Sequence, residues 1–586
     1  MALFGTLVLV GLNVVFFVIF FNKRRRRMGE PPLVNHWLPF IGAALDFGKD
    51  PINYLKGLQS RHGDVFSMKI AGWDYHVFMN PLDVKSLEKN KDLDHREIIG
   101  DFASRMVGDP HAILKCPEDE KDEKKGFLSS LIRGESNHTK SPSTERRDSF
   151  TPGKVPPREK ITNIIESNLR GSAQLNALCE SCVKCTVKAI SRNLQDTVME
   201  QKHVKTGLYK LCQRFVFDLT FNMLFGSNPD EENETQTIFD EFSVFNNNSA
   251  LLLDRIPIHL LPATKRSRDR ILDLLGKLDW SRRYDVSRMV SEMNKCAPNS
   301  DPDGRRARHL LVTLWAAQAN TVPALFWTLF YLLRNGDARY AVMSELSELL
   351  QKKNRRKLRR RSSDYINFKK KIAAETCDKW PEMEDILEMQ RKEIDKLVIL
   401  DSCFKETMRL VGSSMSIRKA KKDTILKTWN GDKYKIRKGD YTTFYAPLTH
   451  FDNDIYSDPE EYIYDRFLES GYPGSSISSD CSNSSITCSK VLRAKCRFYK
   501  GEKRISPSRA IMTFGYGLTR CPGRHIATIE IKLLILSMLK YFNVVLGSDD
   551  IPEQDLTHLG FGIMPPKNEV IVDISLKAPE RKGSVF

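Results

Sequence analysis

Acidic residues are in deficit. Of 586 residues, 74 are Asp or Glu against 91 Lys or Arg, and the formal net charge of +17 favours a membrane surface or an acidic protein partner. Nucleic acid would also suit such a charge, but the chain has no zinc-finger spacing and no basic module interleaved with aromatics, so no nucleic-acid partner is expected. Cysteine is sparse too, at twelve. Cys179, Cys182 and Cys185 stand at CxxCxxC spacing, yet no fourth ligand follows at an interval suited to zinc or an iron–sulfur cluster. They read as cysteines on a helix face. Charge is missing altogether from Met1 to Asn22, and no small-residue cleavage site follows. As a helix this run would span roughly 30 Å, the thickness of a bilayer core. The KRRRR cluster at Lys23–Arg27 comes after it, which by the positive-inside rule places the rest of the chain in the cytosol. There the cysteines stay reduced and the acceptor triplets at Asn137, Asn247 and Asn483 stay unglycosylated.

The remaining chain divides by composition. Residues 23–42 form a basic and proline-rich hinge, with Pro31, Pro32 and Pro39 stiffening its second half. Residues 43–580 form one large body. Tyr54–Arg61 reads as a short helix, and RHGDVFSMKI with DYHVFMN as paired strands. Two stretches, near 116–160 and 472–495, have too few large apolar residues to order themselves and read as flexible insertions; the first carries ERRDS at 145–149, a candidate phosphorylation site. Lys352–Arg361, KKNRRKLRRR, reads as a solvated loop between helices.

Three patterns carry chemistry. FGYGLTRCPG, Phe514–Gly523, sets one cysteine between a glycine-rich loop and an apolar helix over Arg524–Tyr541. Glycines at 515, 517 and 523 allow N–H donors to turn toward a thiolate, and the helix start favours that charge, so Cys521 reads as a metal ligand where an isolated cysteine would read as simply buried. Leu310–Leu333 is uncharged and long enough to cross a membrane, but Gln318, Asn320, Thr321 and Pro323 interrupt it, as suits a helix facing a cofactor inside the protein. In KETMRL, Glu406 and Arg409 share a helix face and can pair.

Together these residues resemble the cytochrome P-450 superfamily. Phe514, Gly517, Cys521 and Gly523 match its haem loop, with Cys521 as the axial iron ligand. The basic residue that the family places two positions before the cysteine, for a haem propionate, is Thr519 here. Ala317–Thr321 matches the central-helix motif, with Asn320 where an acid is usual; the resemblance implies that Thr321 holds the water through which protons reach activated oxygen, and that Asn320 relays or places water. Glu406, Arg409 and Arg466 match a buried structural triad, and Arg418 stands where the family directs an arginine to a propionate. The implied fold is mainly helical with small sheets, preceded by one transmembrane helix.

GEPP, WLPFIG, RHGDVF, WAAQANTVPALFW, YDRFL and LGFGIMPP are most similar to the branch that contains cholesterol and oxysterol 7α-hydroxylases, the sterol 12α-hydroxylase and prostacyclin synthase. The branch implies haem b, O2, a sterol or other lipid substrate, and electrons from NADPH through NADPH–cytochrome P-450 reductase at the endoplasmic reticulum membrane. Retention of Thr321 favours a hydroxylase. An endoperoxide isomerase and a sterol-binding protein without turnover are the alternatives.

Overall fold

The computed structural model describes residues 11, 24–38, 40–108, 158–195, 198, 201–228, 232–296, 304–359, 383–468, 497–517 and 520–577. The expected anchor at 1–22, apart from residue 11, the stretches 116–157 and 472–495, and Thr519 lie outside the described residues.

Helices dominate, with small sheets among them. The largest sheet has five strands: β1 (Val65–Ile70), β2 (Trp73–Phe78), β3 (Leu93–Asp94), β5 (Met415–Ala420) and β6 (Tyr441–Tyr445), in the order β1-β2-β6-β5-β3. The β1–β2 hairpin closes on Ala71 and Gly72, whose φ values of 45° and 85° are the left-handed pair that a tight two-residue turn requires. β2 then pairs in parallel with β6, joining the N-terminal part of the body to its C-terminal third. A second sheet sets β8 (Ile571–Leu576) between β7 (Phe542–Leu546) and β4 (His203–Gly207).

The hinge is tied down more firmly than its composition suggests. Arg24, first of the described residues in the basic cluster, has a nearly buried side chain paired with Asp440 at 2.7 Å and Asp74 at 3.2 Å. Asp440 in turn meets the fully buried His76 at 2.9 Å, and Glu30 accepts from Arg437.

The helices that frame the site are α1 (Arg96–Val107), α2 (Ser172–Ile190), α3 (Leu208–Phe225), α4 (Arg305–Gln318), α5 (Thr321–Arg334), α6 (Val398–Val411) and α7 (Arg524–Tyr541). Every residue of α5 from Thr321 to Leu333 is buried, and α7 is buried continuously from Ile529 to Leu539. A helix apolar all round belongs inside the protein or inside a membrane. Although Arg305–Arg334 is long and apolar enough to cross a bilayer, α5 packs against α3, α6 and α7, as the polar break implied.

Two expectations meet the structure differently. Cys179, Cys182 and Cys185 do line the inner face of α2, where burial pushes the first and last thiols up to about 12 and 11. Among the described residues no group of three or more His, Cys, Asp or Glu side chains is placed to hold a metal ion. The Lys352–Arg361 loop, by contrast, is corrected: Gly336–Arg359 is one helix, so the basic run through Arg359 forms its last turns. Cations at a helix C-terminus face its partial negative charge, and Lys353 is held by Glu393 at 3.1 Å.

Candidate active site

The cysteine loop folds on itself before the helix begins. The Cys521 amide donates to Phe514 O at 2.9 Å, and Gly515 and Gly517 adopt φ of 70° and 61°. At Gly517 a side chain is also excluded by space, since a Cβ would lie 2.6 Å from Glu88 Oε1. Gly523 differs: its φ is an ordinary −77°, and a Cβ there would sit 3.9 Å from the Cys521 sulfur. What Gly523 offers is its N–H, which points at that sulfur along with the N–H of Arg524.

Cys521 is exposed, yet protein crowds the sulfur from the sides, and this burial pushes the thiol up. The two amides and the Arg524 guanidinium act in the opposite direction and are outweighed. The donors expected of the helix start are therefore present, but the protein alone does not make Cys521 a thiolate. A coordinated metal cation would, because it deprotonates its thiol ligand.

The central-helix motif lies at the junction of α4 and α5. Pro323 has no N–H for the Ala319 carbonyl and its ring crowds that carbonyl, so the helix parts at Ala319 and Asn320 and resumes at Thr321. Thr321 is buried at the first turn of α5. The Asn320 Oδ1 accepts the Ile563 N–H at 2.8 Å, which commits one end of its carboxamide to the backbone. Gln318 donates to Val216 O at 3.3 Å.

Glu406, Arg409 and Arg466 come together. Arg409 clasps both Glu406 oxygens at 2.9 Å, and Arg466 Nε reaches Oε1 at 2.8 Å. The remaining donors of Arg409 go to the carbonyls of His450, Pro459 and Glu461. The carboxylate that caps α6 was not legible beforehand: Glu345, from the helix Gly336–Arg359, accepts from the amides of Val398, Ile399 and Leu400 at 2.7, 2.9 and 3.2 Å.

Arg418 is the exception among these charges. It is buried on β5 beside the Tyr516 phenol, and its Nε and Nη2 have no partner. A buried guanidinium with vacant donors calls for an anion. A sulfur flanked by amide donors and a buried cation with free N–H groups suit an iron porphyrin with its acidic side groups. Thr519 adds nothing testable to this fit because it lies outside the described residues.

The sequence model of the cytochrome P450 family matches residues 156–572. The chain belongs to the cytochrome P450 family. It is a P450 monooxygenase, and the family implies a haem-iron cofactor. Similarity to curated P450s runs nearly end to end. A Cricetulus griseus cholesterol 7-alpha-monooxygenase is 29% identical over 576 residues, covering 95% of this chain and 96% of its own. Cytochrome P450 7A1 of Sus scrofa is 28% identical, covering 95% of each. The human 7-alpha-hydroxycholest-4-en-3-one 12-alpha-hydroxylase is 26% identical, covering 93% of each. These relatives fall in the branch that the P450 motifs resembled.

Proposed function

We propose that this P450 hydroxylates a sterol or oxysterol, with 7α or 12α as the position. Haem b bound through Cys521 would supply the activation of O2 for insertion into a C–H bond. The chain's own residues do the rest. Arg418, a cation with vacant N–H donors, would pair with a propionate of the haem and so help to hold it. The Gly523 and Arg524 amides hydrogen-bond the Cys521 sulfur and temper its charge. Thr321, buried at the start of α5, holds a water with its hydroxyl and passes protons inward at that atom. Glu406, Arg409 and Arg466 hold α6 in place and take no part in bond making.

The observation that carries this reading is the hydroxyl at the helix break. Proton delivery matters when O2 itself must be cleaved, whereas an isomerase receives a substrate whose O–O bond already exists. The full-length likeness to sterol 7α- and 12α-hydroxylases supports the substrate class. NADPH–cytochrome P450 reductase is the electron donor in this proposal, and Met1–Asn22 anchors the chain in the endoplasmic reticulum membrane with residues 43–580 in the cytosol.

Titration of the purified protein's Soret band with oxysterols, bile-acid precursors and a stable endoperoxide analogue tests the proposal. A high-spin shift with sterols, followed by hydroxylated product when reductase and NADPH are added, is expected. A response to the endoperoxide analogue alone would favour the isomerase. Sterol binding without product would leave a binding protein.

A further inference from the structure

The segment LGFGIMPP, Leu559–Pro566, stands out in the sequence, and the mechanism above gives it no task. In the structure it is clasped from three directions. Ser413 N donates to Gly562 O at 2.6 Å, Ser413 Oγ accepts from Gly560 N at 3.0 Å, and Met415 N donates to Gly560 O at 3.1 Å. From α5, the Trp327 indole N–H donates to Met564 O at 2.8 Å. The third tie is the Asn320 Oδ1, which accepts the Ile563 N–H at 2.8 Å.

That last contact needs a glycine beside it. Gly562 has φ of 139°, and a Cβ on it would fall 2.2 Å from Asn320 Oδ1. The next residue upstream, Phe561, packs edge to face against Phe102 of α1 at 5.5 Å and Trp315 of α4 at 5.4 Å between ring centroids. Phe102 and Trp315 themselves meet at 5.1 Å. Three separate parts of the chain thus share one aromatic cluster, and its Trp315 stands about one turn of helix before the break at Ala319 and Asn320.

We propose that Asn320 is a positioning residue: its carboxamide oxygen locks Leu559–Met564 against the helix break, and Phe561, held in register with Phe102 and Trp315, sets which substrate carbon is presented for hydroxylation. This rests on the sterol-hydroxylase reading. A side-chain oxygen at position 320, whether of a carboxamide or a carboxylate, can accept that backbone N–H, so the tie depends on the acceptor and not on charge. Proton delivery is left to Thr321.

The test uses the full-length protein with reductase, NADPH and whichever sterol the wild type turns over. Asn320→Leu removes the acceptor, Asn320→Asp keeps one, and Gly562→Ala forces the two segments apart. Asn320→Leu and Gly562→Ala are each expected to redistribute product among positions and to raise KM roughly tenfold, the scale of one buried hydrogen bond. The double variant is expected to do no more than either single one. Hydrogen exchange in 559–566 should speed up in both, while Asn320→Asp keeps the wild-type protection and product pattern. An Asn320→Leu enzyme that releases more peroxide per NADPH with the same product pattern would overturn the proposal, placing Asn320 in proton delivery. Unchanged exchange in Asn320→Leu would overturn it as well. A wild type that turns over no sterol would refute the sterol reading, and the exchange measurement would still decide the clasp.

Discussion

Two buried arginines of this P450 are treated in opposite ways. Arg409 uses all five of its N–H groups, on the two oxygens of Glu406 and the carbonyls of His450, Pro459 and Glu461. Arg418, equally out of solvent, leaves Nε and Nη2 without a protein partner. A complete set of bonds marks a charge that belongs to the scaffold. An incomplete set leaves a buried charge free to meet a ligand, and in our proposal that ligand is a haem propionate.

The sharpest way to break this contrast is to remove each charge in turn. Arg409→Met leaves the Glu406 carboxylate with Arg466 as its one cation and takes the Arg409 donors from the carbonyls of His450 and Pro459, while Glu461 O keeps Arg466, so a loss of about 3–5 kcal/mol is expected in denaturant unfolding. A cost below about 1 kcal/mol would show that the network is not structural. Arg418→Leu should behave differently in the two forms of the protein. Without haem, stability should hold or rise, because an unpaired buried cation is gone. With haem, transfer of the cofactor to an acceptor globin should accelerate tenfold or more, since a charge-assisted hydrogen bond contributes roughly 1.5–3 kcal/mol. Equal destabilisation of the haem-free protein by both variants would erase the distinction.

How legible these features were depended on how local their causes are. Pro323 breaks its helix through its own missing N–H, and the α7 span follows from apolar periodicity, so both could be read directly. The glycine loop and the Glu406–Arg409 pair were legible because their residues lie within ten positions of each other. Contacts across hundreds of residues were not. Nothing near Asn320 announces that it will hold Ile563, and Arg24 reads only as one more charge of the basic cluster until Asp440 and Asp74 are seen around it. The basic run at Lys352–Arg359 was misread as a loop for a related reason: Lys and Arg are good helix formers, and their charge says little about backbone.

Buried carboxylates repeat the contrast on a smaller scale. Glu530 of α7 is buried in the core, and burial alone pushes its carboxyl up to about 8. In the unfolded chain the group ionises in the usual carboxylate range, so between that range and about pH 8 the folded state binds the extra proton. Its contribution to stability is therefore full at low pH and is lost as pH rises toward 8. Thermal unfolding of Glu530→Gln from pH 5 to 9 should show a shallower fall than the wild type. Parallel curves would mean that Glu530 is ionised in the fold.

Glu345 is the satisfied counterpart. Burial raises its carboxyl too, but the amides of Ile399, Leu400 and Val398 pull it down, and the α6 N-terminus adds its partial positive charge. Glu345→Gln keeps an acceptor oxygen of the same shape while removing the negative charge. What is lost is the charge assistance to bonds that survive, so the expected cost is about 0.5–1 kcal/mol, near the effect of one charge at a helix end. Glu345→Ala, which leaves the amides of Val398, Ile399 and Leu400 without that acceptor, should cost two to three times as much, or about 2 kcal/mol, within the range for a lost helix cap. If Gln proves as costly as Ala, charge and not hydrogen-bond completeness governs this site, and the rule that separates Arg409 from Arg418 would not extend to carboxylates.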